Sequence, residues 1–272
     1  MKRDFSRQSF LPANSEAMLA SIKVGVIGLC GGGSHIVQQL AHVGVLNYVV
    51  LDPDGMDKSN LNRLVGGTHE DASTGSLKAN ISQRVILGVN PHASVEYISG
   101  KWQDAQLSLR DCTVIFGCVD SIVEREQIER FCRRFLIHYI DIGMDVLRFE
   151  DSCRIVGQVA MSSPGWCCLR CMAIVTDETL KQEAQRYGAA GPKPQVVWPN
   201  GVLASTAIGL FMRLVCPWHK ASSGFAYLEY NGNDSTVRPS PRAEYAMLIP
   251  CQHYHTADIG DPFFDLTLLA AA

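Results

Sequence analysis

Lys23-Val-Gly-Val-Ile-Gly-Leu-Cys-Gly-Gly-Gly-Ser34, continuing as HIVQQLAHVGVLNYVVLDPDG to Gly55, is the stretch whose reading decides the fold. An apolar run at 24–27 feeds a glycine cluster, Gly28 and then Gly31, Gly32 and Gly33. A helical pattern over 34–43 and a second apolar run at 48–51 follow, closed by Asp52 and Asp54. Such a strand, Gly-rich turn, helix and strand suits a nucleotide. Backbone amides at a helix start receive phosphate, and an acid one strand later receives ribose hydroxyls. Just beyond, Asn60, Arg63 and Lys78 add an amide and two cations. That charge suits a triphosphate better than a dinucleotide whose ring must be presented for hydride transfer.

Five ordered elements can be read outward from this stretch. They are Gly28-Leu-Cys-Gly-Gly-Gly-Ser34, Asp52-Pro-Asp54, Ser59-Asn-Leu-Asn-Arg63, Gly75-Ser-Leu-Lys-Ala79, and Cys118-Val-Asp120 with Arg125. Phe5-Ser-Arg-Gln8 precedes them. In order and spacing this set resembles the ThiF/MoeB/HesA adenylyltransferases, which share a fold with the ubiquitin-activating enzymes. The resemblance covers residues 5–125, and a cysteine pair extends it to about residue 171. Two positions depart from the family pattern. Cys30 stands where a glycine is expected, which costs little if its φ is negative, and Leu64 stands where glutamine is usual.

Length and composition set the bounds. The 272 residues can bury a sizeable core, and 47% hydrophobic with 19% charged residues is an ordinary globular balance. A formal charge of −3 offers no electrostatic argument for nucleic acid or a membrane surface. MKRDFSRQSF lacks the apolar core of a secretory signal, and the apolar run 202–212 is too short to span a bilayer. Ten cysteines without an export signal favour reduced thiols or a metal over disulfides, so a cytoplasmic location is expected.

The expected fold class is α/β, a doubly wound, Rossmann-like, mostly parallel sheet with a smaller antiparallel C-terminal part. Strands are expected at 24–27, 48–51, 95–99, 113–118 and 138–142, with helices at 34–43, 77–87 and 121–135 between them. After Gly143 the texture changes: 154–161 and 224–230 read as antiparallel strands, 202–215 as an apolar helix, and the Gly- and Pro-rich 188–199 as a loop. Residues 1–21 form an N-terminal arm and 22–150 a nucleotide-binding subdomain. Residues 151–272 form a C-terminal part of the same domain.

The resemblance assigns roles within this frame. Gly28, Gly31 and Gly33 shape the phosphate turn, Asp52 matches the ribose-binding acid, and Asp54 is the second carboxylate. Asn60, Arg63 and Lys78 match phosphate-contacting groups, whose cations neutralise charge building at an attacked phosphorus. Asp120 emerges at the carboxyl edge of the sheet and matches an acid that holds magnesium on ATP. Its bland alternative is a cap for the helix 121–135. Arg125 is expected to orient Asp120 or its loop. Arg7 matches an arginine that reaches from the arm of one subunit into its partner's site, which implies a homodimer.

Cys168 and Cys171 form a C-x-x-C pair and supply two of four tetrahedral ligands. By resemblance the other two come from near the C-terminus, here Cys251 with His253 or His255, giving a structural zinc site. Cys216 and His219 are a rival second pair. Between Cys171 and Cys216 there is no cysteine where relatives place a nucleophile.

The expected activity is ATP- and magnesium-dependent adenylation of the C-terminal carboxylate, ending Gly-Gly, of a small ubiquitin-like or sulfur-carrier protein. A conjugating-enzyme-like protein or a sulfurtransferase would act downstream. Three alternatives stand beside it: a tRNA-modifying dehydratase of the same superfamily, an NAD-dependent oxidoreductase, and a catalytically degenerate scaffold.

Overall fold

The apolar runs form the middle of a single sheet. β1 (Lys23–Ile27) pairs in parallel with β2 (Asn47–Leu51), and β2 with β3 (Ser94–Ile98). On its other side β1 pairs in parallel with β4 (Val114–Gly117), and β4 with β5 (His138–Arg148). From there β6 (Cys153–Ser162), β7 (Tyr227–Asn231) and β8 (Thr236–Pro239) continue the sheet antiparallel. The order is β3-β2-β1-β4-β5-β6-β7-β8. The computed structural model of the chain describes residues 4–186, 194–219, 227–248, 250–254 and 259–260.

Helices cover both faces, which is why β1, β2 and β4 are buried almost throughout and carry apolar residues on both sides. One core packs α1 (Ser15–Ser21), α2 (Gly31–Val43), α4 (Lys78–Val89) and α8 (Val197–Val215) on the sheet, through residues such as Leu19, Ile36, Leu40, Ile86 and Phe211. The other core gathers Leu109 of α5 (Gln106–Leu109), Ile128 and Phe131 of α6 (Ile122–Arg134), and Leu169 and Met172. α3 (His69–Thr74), α7 (Asp177–Arg186) and α9 (Pro241–Met247) complete the described α-helices. Among the described residues no helix is long and apolar enough to cross a membrane.

Several boundaries differ from the sequence expectation. α2 starts at Gly31 rather than residue 34, because the glycines adopt helical geometry as its first turn. α8 starts at Val197, inside the stretch read as a loop. Pro199 is the third residue of that helix, where its missing N–H costs nothing because the first turn has no intrahelical acceptor. Residues 188–193 of that expected loop, and 224–226 of an expected strand, lie outside the described residues. The arm contains a helix, α1, whose Ser15 and Leu19 are buried. β5 runs well past residue 142 into a long hairpin with β6.

Order 3-2-1-4 reverses direction between β1 and β4, and ligands of such sheets bind outside the carboxyl ends at that reversal. The loop leaving β4 is pinned there by a buried ion pair. Arg125 of α6 bonds Asp141 of β5, and its Nη2 also donates to the Val119 carbonyl at 2.6 Å. Burial disfavours the guanidinium charge, but Asp141 more than offsets this, so the pKa of Arg125 is raised. The Tyr139 hydroxyl donates to the other Asp141 oxygen at 3.0 Å. Asp141→Ala leaves the buried guanidinium uncompensated and should cost about 3–5 kcal/mol in denaturant unfolding. A loss below about 1 kcal/mol would show that the pair is not what holds this loop.

Candidate functional site

A cavity of about 560 Å³ opens at the carboxyl ends of β1 and β4. Its floor is the turn joining β1 to α2. Gly28 sits at φ +86°, and a Cβ there would lie 2.5 Å from the Cys118 carbonyl, so the turn needs glycine at this position. Cys30 stands at the N-cap position of α2 with a negative φ of −86°, so no left-handed residue is required there. No side chain caps the α2 N-terminus. Gly31 and Gly32 line the cavity, so the first-turn N–H groups of the helix face it. Gly33 is buried under the turn against the Gly28 carbonyl and takes no part in the wall.

The two acids after β2 behave differently. Asp52 is buried, and its carboxylate is engaged by the chain itself. It accepts from the Leu29 N–H at 2.7 Å, the Asp54 N–H at 3.0 Å and Lys78 Nζ at 3.3 Å. Asp54 lines the cavity and bonds Lys78 Nζ at 2.8 Å. Lys78 opens α4 and is itself buried. Burial works against its ammonium, yet Asp52 and Asp54 outweigh burial and its pKa is raised. Lys78 is therefore a fixed cation.

Asn60 and Arg63 arrive on a tight turn shaped by Asp57. The Asp57 carboxylate accepts from the Ser59 N–H at 2.6 Å, while Asn60 Oδ1 accepts from the Asp57 N–H at 3.1 Å. Arg63 Nη1 donates to the Ser59 carbonyl and to Asn62 Oδ1. Its Nε is buried without a partner, and the residue lines the cavity. Leu64 points the other way and packs with Met56 and Ile81, which accounts for an apolar residue there.

Asp120 is exposed at the mouth, where its Oδ1 accepts from Gln195 Nε2 at 3.0 Å. It is not the cap of α6. Ser121 takes that place, its hydroxyl accepting from the Glu124 N–H, while the N–H groups of Ile122 and Val123 donate to Glu183 of α7. Arg125 holds the Asp120 loop through Val119, and also lines the cavity. Arg7 is exposed in the arm and is not among the lining residues. Phe5 sits against Gly44 at the C-terminal end of α2, roughly 20 Å along that helix from the glycine turn.

Among the lining residues that escape the sequence reading are Asn200 and Gln195. Asn200 of α8 is buried over Gly31, where a Cβ would lie 2.6 Å from its Nδ2. Gln195 bonds Asp120 with its side chain, and its carbonyl accepts from Asn62 Nδ2 at 2.9 Å, so it joins two loops across the mouth. Gln195 falls in the Gly- and Pro-rich stretch, and Asn200 follows it directly. The available signal was an asparagine at the head of an apolar helical run, a polar residue where a core position would be apolar.

Thiols near the cavity stay protonated: burial, opposed by Arg63 and Lys78, raises Cys30, and burial pushes Cys118 up to about 12. A second cluster lies apart. Cys168, Cys171, Cys251 and His253 bring one donor atom each within 4.8 Å of one another. Cys168 Sγ is 3.5 Å from Cys171 Sγ, and His253 Nδ1 is 3.4 Å from both. Those separations match the edges of a tetrahedron with bonds of about 2.0–2.3 Å, so the donor set fits a metal ion. Burial raises the Cys168 thiol. It also works to raise Cys251, but the N–H of His253 and the two neighbouring thiols outweigh it and lower Cys251. His255 lies outside the described residues. Cys216 is buried in the main core and donates to the Ser15 carbonyl at 3.9 Å, away from this cluster.

Comparison with known proteins agrees with this architecture. The chain is 29% identical over 141 residues to a molybdopterin-synthase adenylyltransferase of Haemophilus influenzae, covering 50% of this chain and 57% of that one. It is 27% identical over 229 residues to the sulfur carrier protein ThiS adenylyltransferase of Escherichia coli, covering 79% and 84%. The matched stretch thus spans little more than half of the first relative. A crystal structure of E. coli MccB with ATP superposes with a TM-score of 0.69 at 17% identity, over 84% of this chain and 66% of that one, and shares its fold. The ThiF family model matches residues 3–247, and the chain belongs to the ThiF family.

Proposed function

We propose that the chain adenylates the C-terminal carboxylate of a small ubiquitin-like or sulfur-carrier protein, one ending in Gly-Gly, at the expense of ATP. The observation that carries this reading is the convergence of Arg63, Lys78 and Asp120 on the open first turn of α2. The names of the relatives, both adenylyltransferases and one of them for a sulfur carrier protein, point the same way.

A carboxylate oxygen attacks the α-phosphorus and forms the acyl–phosphate bond. The bond to the bridging oxygen breaks, and pyrophosphate leaves with its electron pair. No proton moves, because the carboxylate is already ionised near neutral pH. What remains is positioning and charge neutralisation. Arg63 offers a guanidinium with a buried, unpartnered N–H, and Lys78 a fixed ammonium at a helix start. The amides of the α2 turn receive phosphate oxygens. Asp120, a carboxylate lining the mouth of the cavity, would hold a magnesium ion, which when bound neutralises phosphate charge. With no cysteine between Cys171 and Cys216, the acyl-adenylate passes directly to an external acceptor.

Arg7 completes the site of a partner subunit in this reading, since its arm is seated far from the glycine turn of its own chain. The Cys168, Cys171, Cys251 and His253 cluster holds a structural zinc, four donors leaving no open position. The protein acts in the cytoplasm.

ATP–pyrophosphate exchange driven by a Gly-Gly-ended carrier tests the assignment. Asp120→Ala should lower exchange by at least about 100-fold with an unchanged thermal midpoint; Lys78→Met should lower exchange similarly but also lower the midpoint, since it strips buried Asp52 of its cation. Exchange that persists in Asp120→Ala, or tight NAD binding with no exchange in the parent, overturns it. Metal analysis of the purified chain should find about one zinc per chain, lost in Cys171→Ser. Full zinc retention by that variant would refute the ligand set.

A further inference from the structure

The four donors of the cysteine–histidine cluster come from two segments far apart in the chain, and something must bring them together. α6 does so with a row of charged side chains at positions i, i+3 and i+7. Glu129 is fully buried, and its two oxygens divide their work. Oε1 accepts from the Leu169 N–H at 2.9 Å, next to Cys168, while Oε2 accepts from the Tyr254 hydroxyl at 2.9 Å, next to His253. One carboxylate thus grips both donor-bearing segments.

Arg133, one turn further on, reinforces each grip. Its Nη2 reaches the Ser162 hydroxyl at 2.8 Å and the carbonyls of Trp166 and Cys167 at 3.0 Å. Its guanidinium stacks over the Tyr254 ring at 4.8 Å, and its Nε lies 3.7 Å from Glu129 Oε1. Nearer the helix start, Glu126 bonds Arg170, which sits between the first two cysteines. None of these contacts uses a donor atom of the cluster. A buried carboxylate is costly unless fully bonded, and an apolar residue would fill the space without that cost. Glu129 is bonded to two groups that flank the donors, lies beside the arginine that does the same, and also meets the Ser162 hydroxyl at the end of β6.

We propose that Glu129 is the positioning residue of this metal centre: it holds the 168–171 and 251–253 segments together on α6, so the four ligands are gathered before an ion arrives. The inference rests on the cluster being a metal site, and it is independent of the adenylation reading. Partners that orient ligands commonly change metal affinity by about 10–100-fold when removed. Tyr254 acts through Glu129 in this scheme, and Arg133 acts beside it on the same segments.

The test uses the full chain loaded with zinc and a chromophoric chelator that reports release. Glu129→Gln keeps the size but loses the charge and one acceptor, and should release zinc about 10–100-fold faster than the parent. Tyr254→Phe removes only one grip, keeps the ring under Arg133, and should show a smaller acceleration of the same kind. The thermal midpoints of loaded and chelator-stripped protein should also draw closer together in both variants. Release rates equal to the parent in both variants overturn the proposal. So does an equal fall of loaded and stripped midpoints, which would mark Glu129 as a core residue with no role toward the ion. If Glu129→Gln does not fold, Tyr254→Phe decides alone. A parent that binds no zinc refutes the metal reading and this inference with it, whatever the exchange assay gives.

Discussion

The carboxylate of Asp52 is the constraint on which the nucleotide-type site depends. It is buried at the end of β2, where an unbonded charge would be prohibitive. It is tolerated because three separate segments supply donors: the glycine turn through Leu29, the following turn through Asp54, and α4 through Lys78. Those same bonds fix the turn relative to the cation. An apolar residue at 52 would leave the Leu29 N–H unpartnered and Lys78 with one carboxylate. The sequence reading gave this acid to a ribose; in the structure it is engaged by its own chain, and Asp54 is the one that faces the cavity.

The second half of the chain completes the site from a distance. β5 pairs in parallel with β4 and antiparallel with β6, so one strand joins the two textures into one sheet. That continuity lets α8 lay Asn200 over Gly31 and lets Gln195 bridge the Asp120 and Arg63 loops. The parallel strands alone would supply the glycine turn without the Gln195 bridge across the mouth.

How far this was legible from the chain depends on the range of the interaction. β1, β2 and β4 were readable because a strand buried on both faces must be apolar throughout. Asn60, Arg63, Lys78 and Asp120 were readable as an ordered series, and the structure gathers all four around one cavity. The start of α2 was misjudged because glycine is a poor helix former, and the tight packing at Gly33 against Gly28 is invisible without coordinates. α8 was begun late because proline reads as a breaker unless its position within the first turn is known. Glu129 and Arg133 looked like the polar face of an amphipathic helix. They are buried because the cysteine segment covers that face, a long-range fact no local pattern carries.

The charged residues lining the cavity are Asp54, Asp57 and Asp120 against Arg63, Lys78 and Arg125. Three negative groups balance three positive ones. A bare polyphosphate would find no surplus of positive potential to compensate its own repulsion. One that travels with its counter-ion is nearly neutral and matches the wall it meets. On the proposed reading, the balance of acids and bases in the lining would act as an admission criterion, favouring the ion-paired form of an anionic guest over the naked one before any chemistry begins.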